Sequence, residues 1–249
     1  MGEANKHGLP RYISSEIKRA VRVKCGFGCV ICGLAYYDYE HFAPDFKDAH
    51  SHTVEGITLL CMQCNQKRAR GTLSAKTVAL ADAKPMCKQQ GFASELFDFG
   101  SEPLNIRFAG SNYIDCGCLI HIAGVDVLSV RPPEQPGSPM LMSGAFSDST
   151  GAVTLTIREN VFSVGGDSWD VEVVGPLITV RRGPGDIALQ LRVNPPDGIT
   201  VERINMEIEG VSLVGNENQL EMFQGKRLLT NISSGTMISC RYGIFLAGN

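Results

Sequence analysis

Two short cysteine pairs, Cys29-Val-Ile-Cys32 and Cys61-Met-Gln-Cys64, constrain this chain more than any other feature in it. Two thiolates in a C-x-x-C spacing can grip one face of a zinc ion, and two such pairs complete a tetrahedral all-thiolate site with no open position. If one ion takes all four sulfurs, the two pairs must meet, and the segment between them must leave, reverse and return. Gly26, Gly28 and Gly33 supply the permissive backbone that a tight knuckle needs. A redox motif would need only one pair, whereas two facing pairs indicate shared ligation. A closed site is structural: the ion pins distant segments together and stands in for part of a hydrophobic core.

The chain holds nine Cys, an odd count that argues against a complete disulfide framework. In a reducing compartment, paired thiols are more often metal ligands than bridges. Cys25, Cys87, Cys116, Cys118 and Cys240 lack such spacing and read as small core residues, with metal binding an alternative for Cys116-Gly-Cys118. No apolar run approaches the roughly 20 residues of a membrane-spanning helix. The opening Met1-Gly-Glu-Ala-Asn-Lys lacks the apolar stretch of a secretory signal, so a cytoplasmic protein with no membrane partner is expected. The formal charge of -3 averages unlike halves. Lys and Arg exceed Asp and Glu in residues 1–100, and the reverse holds in 101–249, so the basic excess accompanies the cysteines.

Residues 12–24 read as a short helix with Ser14 or Ser15 as N-cap, its outer side basic through Lys18, Arg19, Arg22 and Lys24. A second helix begins at Ser74 and kinks or ends by Pro85. From Leu104 onward the texture changes to short runs of period two or β-branched residues bounded by Gly, Pro, Asn and Asp. Examples are Leu119–Ile122, Val125–Val130, Val153–Ile157, Trp169–Val174 and Ile187–Val193. The expected class is therefore α+β: an N-terminal metal-stabilised domain over residues 1–100, then an all-β domain over 101–249. For the latter a sandwich is the first choice, a barrel or solenoid the alternative. Arg131-Pro-Pro-Glu-Gln-Pro-Gly-Ser-Pro139 reads as a long loop.

With the knuckles fixed, Tyr37–Phe42 and Ile57–Leu60 become natural hairpin partners, and a helix follows Cys64. This ββα unit carries Glu40-His41 on its first strand and Asn65 at the helix start. In the order C-x-x-C, acidic-His, strand-Leu-Cys, x-x-Cys-Asn-x-x-Arg, the chain from about Arg11 to Gly71 resembles the HNH endonucleases, the ββα-metal nucleases.

The resemblance implies an endonuclease that hydrolyses phosphodiester bonds in DNA, in a setting such as restriction or phage defence. His41 would be the general base. Glu40 and Asn65 would hold one catalytic cation, Mg2+ or Mn2+, through hard oxygen ligands. That cation would offset charge on the scissile phosphate and on the departing 3′ oxygen, giving a 5′ phosphate and a 3′ hydroxyl. Cys29, Cys32, Cys61 and Cys64 would hold structural Zn2+. Lys67, Arg68 and Arg70 would contact phosphates. His52, in the loop between the strands, is a candidate further ligand of metal or phosphate.

Two departures stand out: Glu40 replaces the commoner Asp, and Gly56 stands where the family usually has an Asn that braces the loop carrying the base. The β domain carries no chemical motif and is read as a module for target recognition, homo-oligomerisation or docking of a protein partner. The alternative reading is a zinc-stabilised nucleic-acid-binding or adaptor protein without cleavage activity.

Overall fold

The computed structural model describes residues 4–247. It is mostly β, with a few helices and open sheets. The chain divides into two compact units, one of Met1–Glu95 with Ser163–Val173, the other of Leu96–Phe162 with Val174–Asn249. Among the described residues no helix is long and apolar enough to cross a membrane.

The first unit opens with α1 (Ser15–Cys25), capped by the Ser14 hydroxyl, which accepts from Ile17 N, and closed at Gly26, whose N–H returns to the carbonyls of Arg22 and Val23. Next come β1 (Asp38–His41), a single 3-10 turn at Phe46–Asp48, and β2 (Ile57–Leu60). They are followed by α2 (Met62–Ala69), α3 (Ala75–Ala83), α4 (Met86–Gln90) and β3 (Phe92–Leu96). Strands β1 and β2 pair antiparallel, with Glu40 opposite Thr58 and His41 opposite Ile57. All four residues of β2 are buried, joining Val21, Cys25, Val30 and Val78 in one core. Helix α3 starts after Ser74, whose hydroxyl accepts from Thr77 N, and Pro85 separates it from α4.

Three of the four cations on the basic side of α1 are held by partners within the unit rather than left to solvent. Arg22 is buried and grips Asp170 with two hydrogen bonds, Nε to Oδ1 at 2.8 Å and Nη2 to Oδ2 at 2.7 Å. Its Nη1 donates to the Tyr39 hydroxyl at 2.7 Å and to Glu172 at 3.0 Å. Arg19 lies over the Trp169 ring, 3.7 Å from its centroid. The Lys24 ammonium donates to the carbonyls of Val54 and Ile57 and to Asp82. Most of these partners lie far along the chain. The stretch Ser163–Val173, which returns to this unit, supplies Asp170, Glu172 and Trp169, so a local reading of the helix had nothing to pair its cations with.

Every element of the second unit is a strand. Those up to the crossing are β4 (Asn105–Phe108), β5 (Ser111–Ile114), β6 (Cys118–Ile122), β7 (Val125–Arg131), β8 (Leu141–Ser147) and β9 (Val153–Arg158). Strands β10 (Val161–Gly165) and β11 (Asp170–Val174) run through the stretch that belongs mainly to the first unit. The rest are β12 (Leu177–Gly183), β13 (Asp186–Asn194), β14 (Gly198–Ile208), β15 (Val211–Asn216), β16 (Leu220–Gln224), β17 (Arg227–Ile232), β18 (Gly235–Ile238) and β19 (Tyr242–Leu246).

Within this unit β6 to β9 form one antiparallel meander and β12 to β17 another. The two meanders are joined where Ser147 and Asp148, at the end of β8, bond the backbone of Glu207 on β14. Alternation builds the core: Leu189, Leu191 and Val193 on β13 are buried, as are Ile199, Val201 and Ile204 on β14. The two strands pair Leu191 with Val201 and Val193 with Ile199. Among the described residues no sheet closes into a barrel. The Pro-rich segment after Arg131 is the loop from β7 to β8.

One cysteine assignment is corrected. Cys116 is bonded to Cys240 across a separation of 124 residues, so neither is a free core thiol and Cys116 is not a metal ligand. Parallel pairing explains the match. Strand β18 pairs with β5 so that Ile238 faces Ile114, and β19 pairs with β6 so that Tyr242 faces Cys118. The linkers between those strands are thereby aligned, with Cys240 opposite Cys116. Cys118 stays a thiol that donates to the Ile120 carbonyl at 3.2 Å; burial, reinforced by Asp126, pushes it up to about 12.

Candidate active site and metal centre

The first knuckle is a turn in which Gly33 N donates to the Cys29 carbonyl at 2.9 Å and Cys29 N to the Leu34 carbonyl at 2.8 Å. Gly33 sits at φ +82°, a conformation that a side chain would strain. The second knuckle is the start of α2 itself. Cys61 is the N-cap, and its sulfur accepts from Cys64 N at 3.4 Å. The helix therefore begins three residues earlier than the sequence suggested, at Met62 rather than Asn65, with Cys64 and Asn65 inside its first turn.

All four sulfurs of Cys29, Cys32, Cys61 and Cys64 lie within 4.8 Å of one another. Cys32 and Cys61 are 3.6 Å apart, Cys32 and Cys64 3.9 Å. A zinc–sulfur bond of about 2.3 Å gives a tetrahedron with edges of about 3.8 Å, so the spacing fits that ion. Burial and the crowding of neighbouring thiols raise Cys32 and Cys64 above the ordinary thiol range. Burial also acts upward on Cys61, but hydrogen bonds from Cys64 N and from adjacent thiols outweigh it and bring that group down. Four sulfurs packed this closely resist ionising together, and a divalent cation removes that resistance. The group could hold a zinc ion.

Beside the knuckles is a cavity of about 700 Å³ lined by Arg11, Glu40, His41, Asp45, Asn65 and Arg68 among others. Strand β1 delivers Glu40 and His41 at its end, where the chain turns into the loop toward β2. Helix α2 delivers Asn65 and Arg68, three apart and thus on one face. Arg68 organises the wall: its Nη2 donates to Asp45 and, at 3.3 Å, to the His41 carbonyl, and its Nε lies 3.8 Å from Glu40 Oε1. Its Nη1 is buried with no hydrogen-bond partner.

Burial raises the Glu40 carboxyl above its ordinary value; Arg68 opposes the rise, while Asp45 and Asp38 add to it. The His41 ring is pushed down from the usual histidine value by burial first, then by His52 and Arg11. A half-buried carboxylate beside a second acid is a setting that gains from a cation, and an amide oxygen at Asn65 belongs to the same hard donor set.

The remaining candidates distribute unevenly. Lys67 on α2 and Arg70 at its C-cap are exposed, outside the cavity wall. His52 meets His41, with its Nδ1 3.0 Å from His41 Nε2 and its own Nε2 2.9 Å from the Pro10 carbonyl. Both of its nitrogens are thus engaged, and neither is left to ligate a metal or to donate to a phosphate in this arrangement. His50 is exposed and packs its ring at a tilt against His7, with centroids 3.9 Å apart.

Arg11 and Asp45, which the motif did not single out, reach the cavity from the segment before α1 and from the loop after β1. No local pattern marks them, because loop geometry alone turns them inward. Gly56 is buried, and a Cβ there would meet the Ala43 carbonyl and Thr53 Oγ1, each at 2.9 Å. The space for an Asn side chain is already filled by the closed loop. Comparison of the chain with protein-family models, with curated proteins and with solved structures finds no match.

Proposed function

We propose that the protein is a metal-dependent endonuclease of the HNH type that hydrolyses phosphodiester bonds in DNA. The observation that carries this reading is the convergence of Glu40, His41 and Asn65 on one cavity next to the four-thiol cluster. In it, Cys29, Cys32, Cys61 and Cys64 hold structural zinc and fix where β1 ends and α2 begins. Glu40 and Asn65 hold Mg2+ or Mn2+, which when bound supplies charge compensation at the phosphate.

His41 takes the proton of the attacking water. Burial disfavours its charged form, so it stays a base at neutral pH. Arg68 keeps the loop carbonyl of His41 in place. Lys67 and Arg70, exposed on the same helix and at its C-cap, add contacts to flanking phosphates that position the strand without reading its sequence. The β unit serves target choice, self-association or docking of a partner.

One observation favours the adaptor reading instead. Arg68 pairs with Asp45 and lies 3.8 Å from Glu40, so the chain itself supplies part of the positive charge that a cation would bring. Plasmid nicking in Mg2+ or Mn2+ separates the two. The wild type should nick, and His41→Ala should lose roughly 10²–10⁴-fold in rate while DNA binding persists. Because the folded-state value of His41 is depressed, its base form survives as pH falls through 6.5, and the acid limb of the rate profile should lie below that point. A wild type inactive with either metal sinks the nuclease and leaves the adaptor.

A further inference from the structure

The loop between β1 and β2 is braced from outside by the segment before α1. Asn5 Nδ2 donates to the carbonyls of Phe46 at 2.6 Å and Ala49 at 2.7 Å. Its Oδ1 accepts from the backbone N–H groups of His7 and Leu9, which holds the side chain in one orientation. Lys6 pairs with Asp48, and the Arg11 guanidinium lies over the Phe46 ring at 4.6 Å. The last contact of the series is the Pro10 carbonyl, 2.9 Å from His52 Nε2.

That contact settles a tautomer. A carbonyl oxygen only accepts, so the hydrogen lies on His52 Nε2. In a neutral imidazole the other nitrogen is then an acceptor, so His52 Nδ1 accepts from His41 Nε2 across their 3.0 Å separation. The hydrogen of His41 is accordingly on Nε2, and Nδ1 is left as its basic atom.

We infer that His52, anchored on the Pro10 carbonyl, is a positioning residue that selects the Nε2–H tautomer of His41 and holds its ring with Nδ1 free. The loop's closure explains why this task falls to a side chain from within the loop. At Gly56 the backbone already pairs with Phe42 and Ala43, and the close approach of Ala43 and Thr53 leaves no room for a bracing side chain. For its catalytic consequence the inference rests on His41 being the base; the tautomer itself does not.

The test therefore has two arms on the full-length, zinc-loaded protein. In imidazole-15N-labelled protein at about pH 8, where ordinary histidines are neutral, long-range 1H–15N spectra should show both His41 and His52 protonated on Nε2. His52→Leu should erase the preference at His41. His52→Asn, whose Oδ1 takes the place of Nδ1, should restore it. A wild-type His41 protonated on Nδ1, or a preference unchanged in His52→Leu, overturns the inference whether or not the protein cleaves DNA. If His52→Leu fails to fold, the wild-type and His52→Asn spectra still decide.

In the kinetic arm, His52→Leu should lower kcat about 10–100-fold, the scale of lost supporting hydrogen bonds, with KM and zinc content unchanged. His52→Asn should recover most of it, and an unaltered kcat in His52→Leu also overturns the positioning role. A wild type that never nicks defeats the nuclease reading alone, because the spectra still report the tautomer.

Discussion

The two units hold themselves together by different means. In the first, a few chemically specific meetings fix the chain: four sulfurs within 4.8 Å, one buried arginine on Asp170, one lysine on two carbonyls and an acid. In the second, the work is spread over long antiparallel ladders with alternating buried residues, tied once by Cys116–Cys240. The first kind of unit should respond to single side chains and to removal of any ion its four thiols hold. The second is sensitive to redox state and to the sum of many small burials. Chemistry placed on the first unit inherits its precision, since the same contacts that stabilise β1 and α2 aim Glu40, His41 and Asn65.

Chelation is the strongest way to break this contrast. Structural zinc contributes on the order of 10 kcal/mol in small zinc domains at neutral pH, comparable to the whole stability of a typical domain. Stripping the metal should therefore unfold the first unit and leave the second standing. Trp169, the single tryptophan, belongs to the first unit, so its fluorescence should shift while the β signal in circular dichroism largely persists. A cooperative loss of both signals together would mean that the units do not differ as described.

Next in size is Asp170→Ala. It leaves the buried Arg22 with only the partly exposed Glu172 as counter-charge and its Nε and Nη2 without their acceptor, which should cost about 3 kcal/mol, and the loss should show in the Trp169 transition only. Replacing both partners by apolar residues, Arg22→Met with Asp170→Leu, should recover most of it, because no buried charge is then left uncompensated. A single variant as stable as wild type would remove the pair from the account.

Reduction of Cys116–Cys240 is the smallest effect, about 2–4 kcal/mol for a typical bridge. It should lower the midpoint of the β transition and leave Trp169 emission unchanged, opposite to chelation. Reduction that moves both signals, or neither, would contradict the division of labour.

Much of the first unit was legible in the chain. C-x-x-C spacing states its own chemistry, Ser14 and Ser74 announce helix starts, and the run Ile57–Leu60 reads as a buried strand between two fixed points. In the second unit the alternating runs from Leu104 to Ile208 fall on strands. Strand β8, with Gly144 at its centre and few branched residues, gave little signal, and β18, exposed along its length, gave no alternation. Both are strands because a neighbour supplies the pairing. Arg22 on α1 and Cys116 escaped a local reading for one reason, since Asp170 and Cys240, their partners, each lie more than a hundred residues away.

Local chemistry written into neighbouring residues, the cysteine pairs, the caps and the alternation, was determined by the sequence alone. Tertiary structure decided which charges meet, which thiols bond, and that Pro10, His52 and His41 form a single chain of hydrogen bonds. Spacing along a chain constrains only groups a few bonds apart, whereas the direction of a ring nitrogen or the partner of a buried cation depends on every segment packed around it.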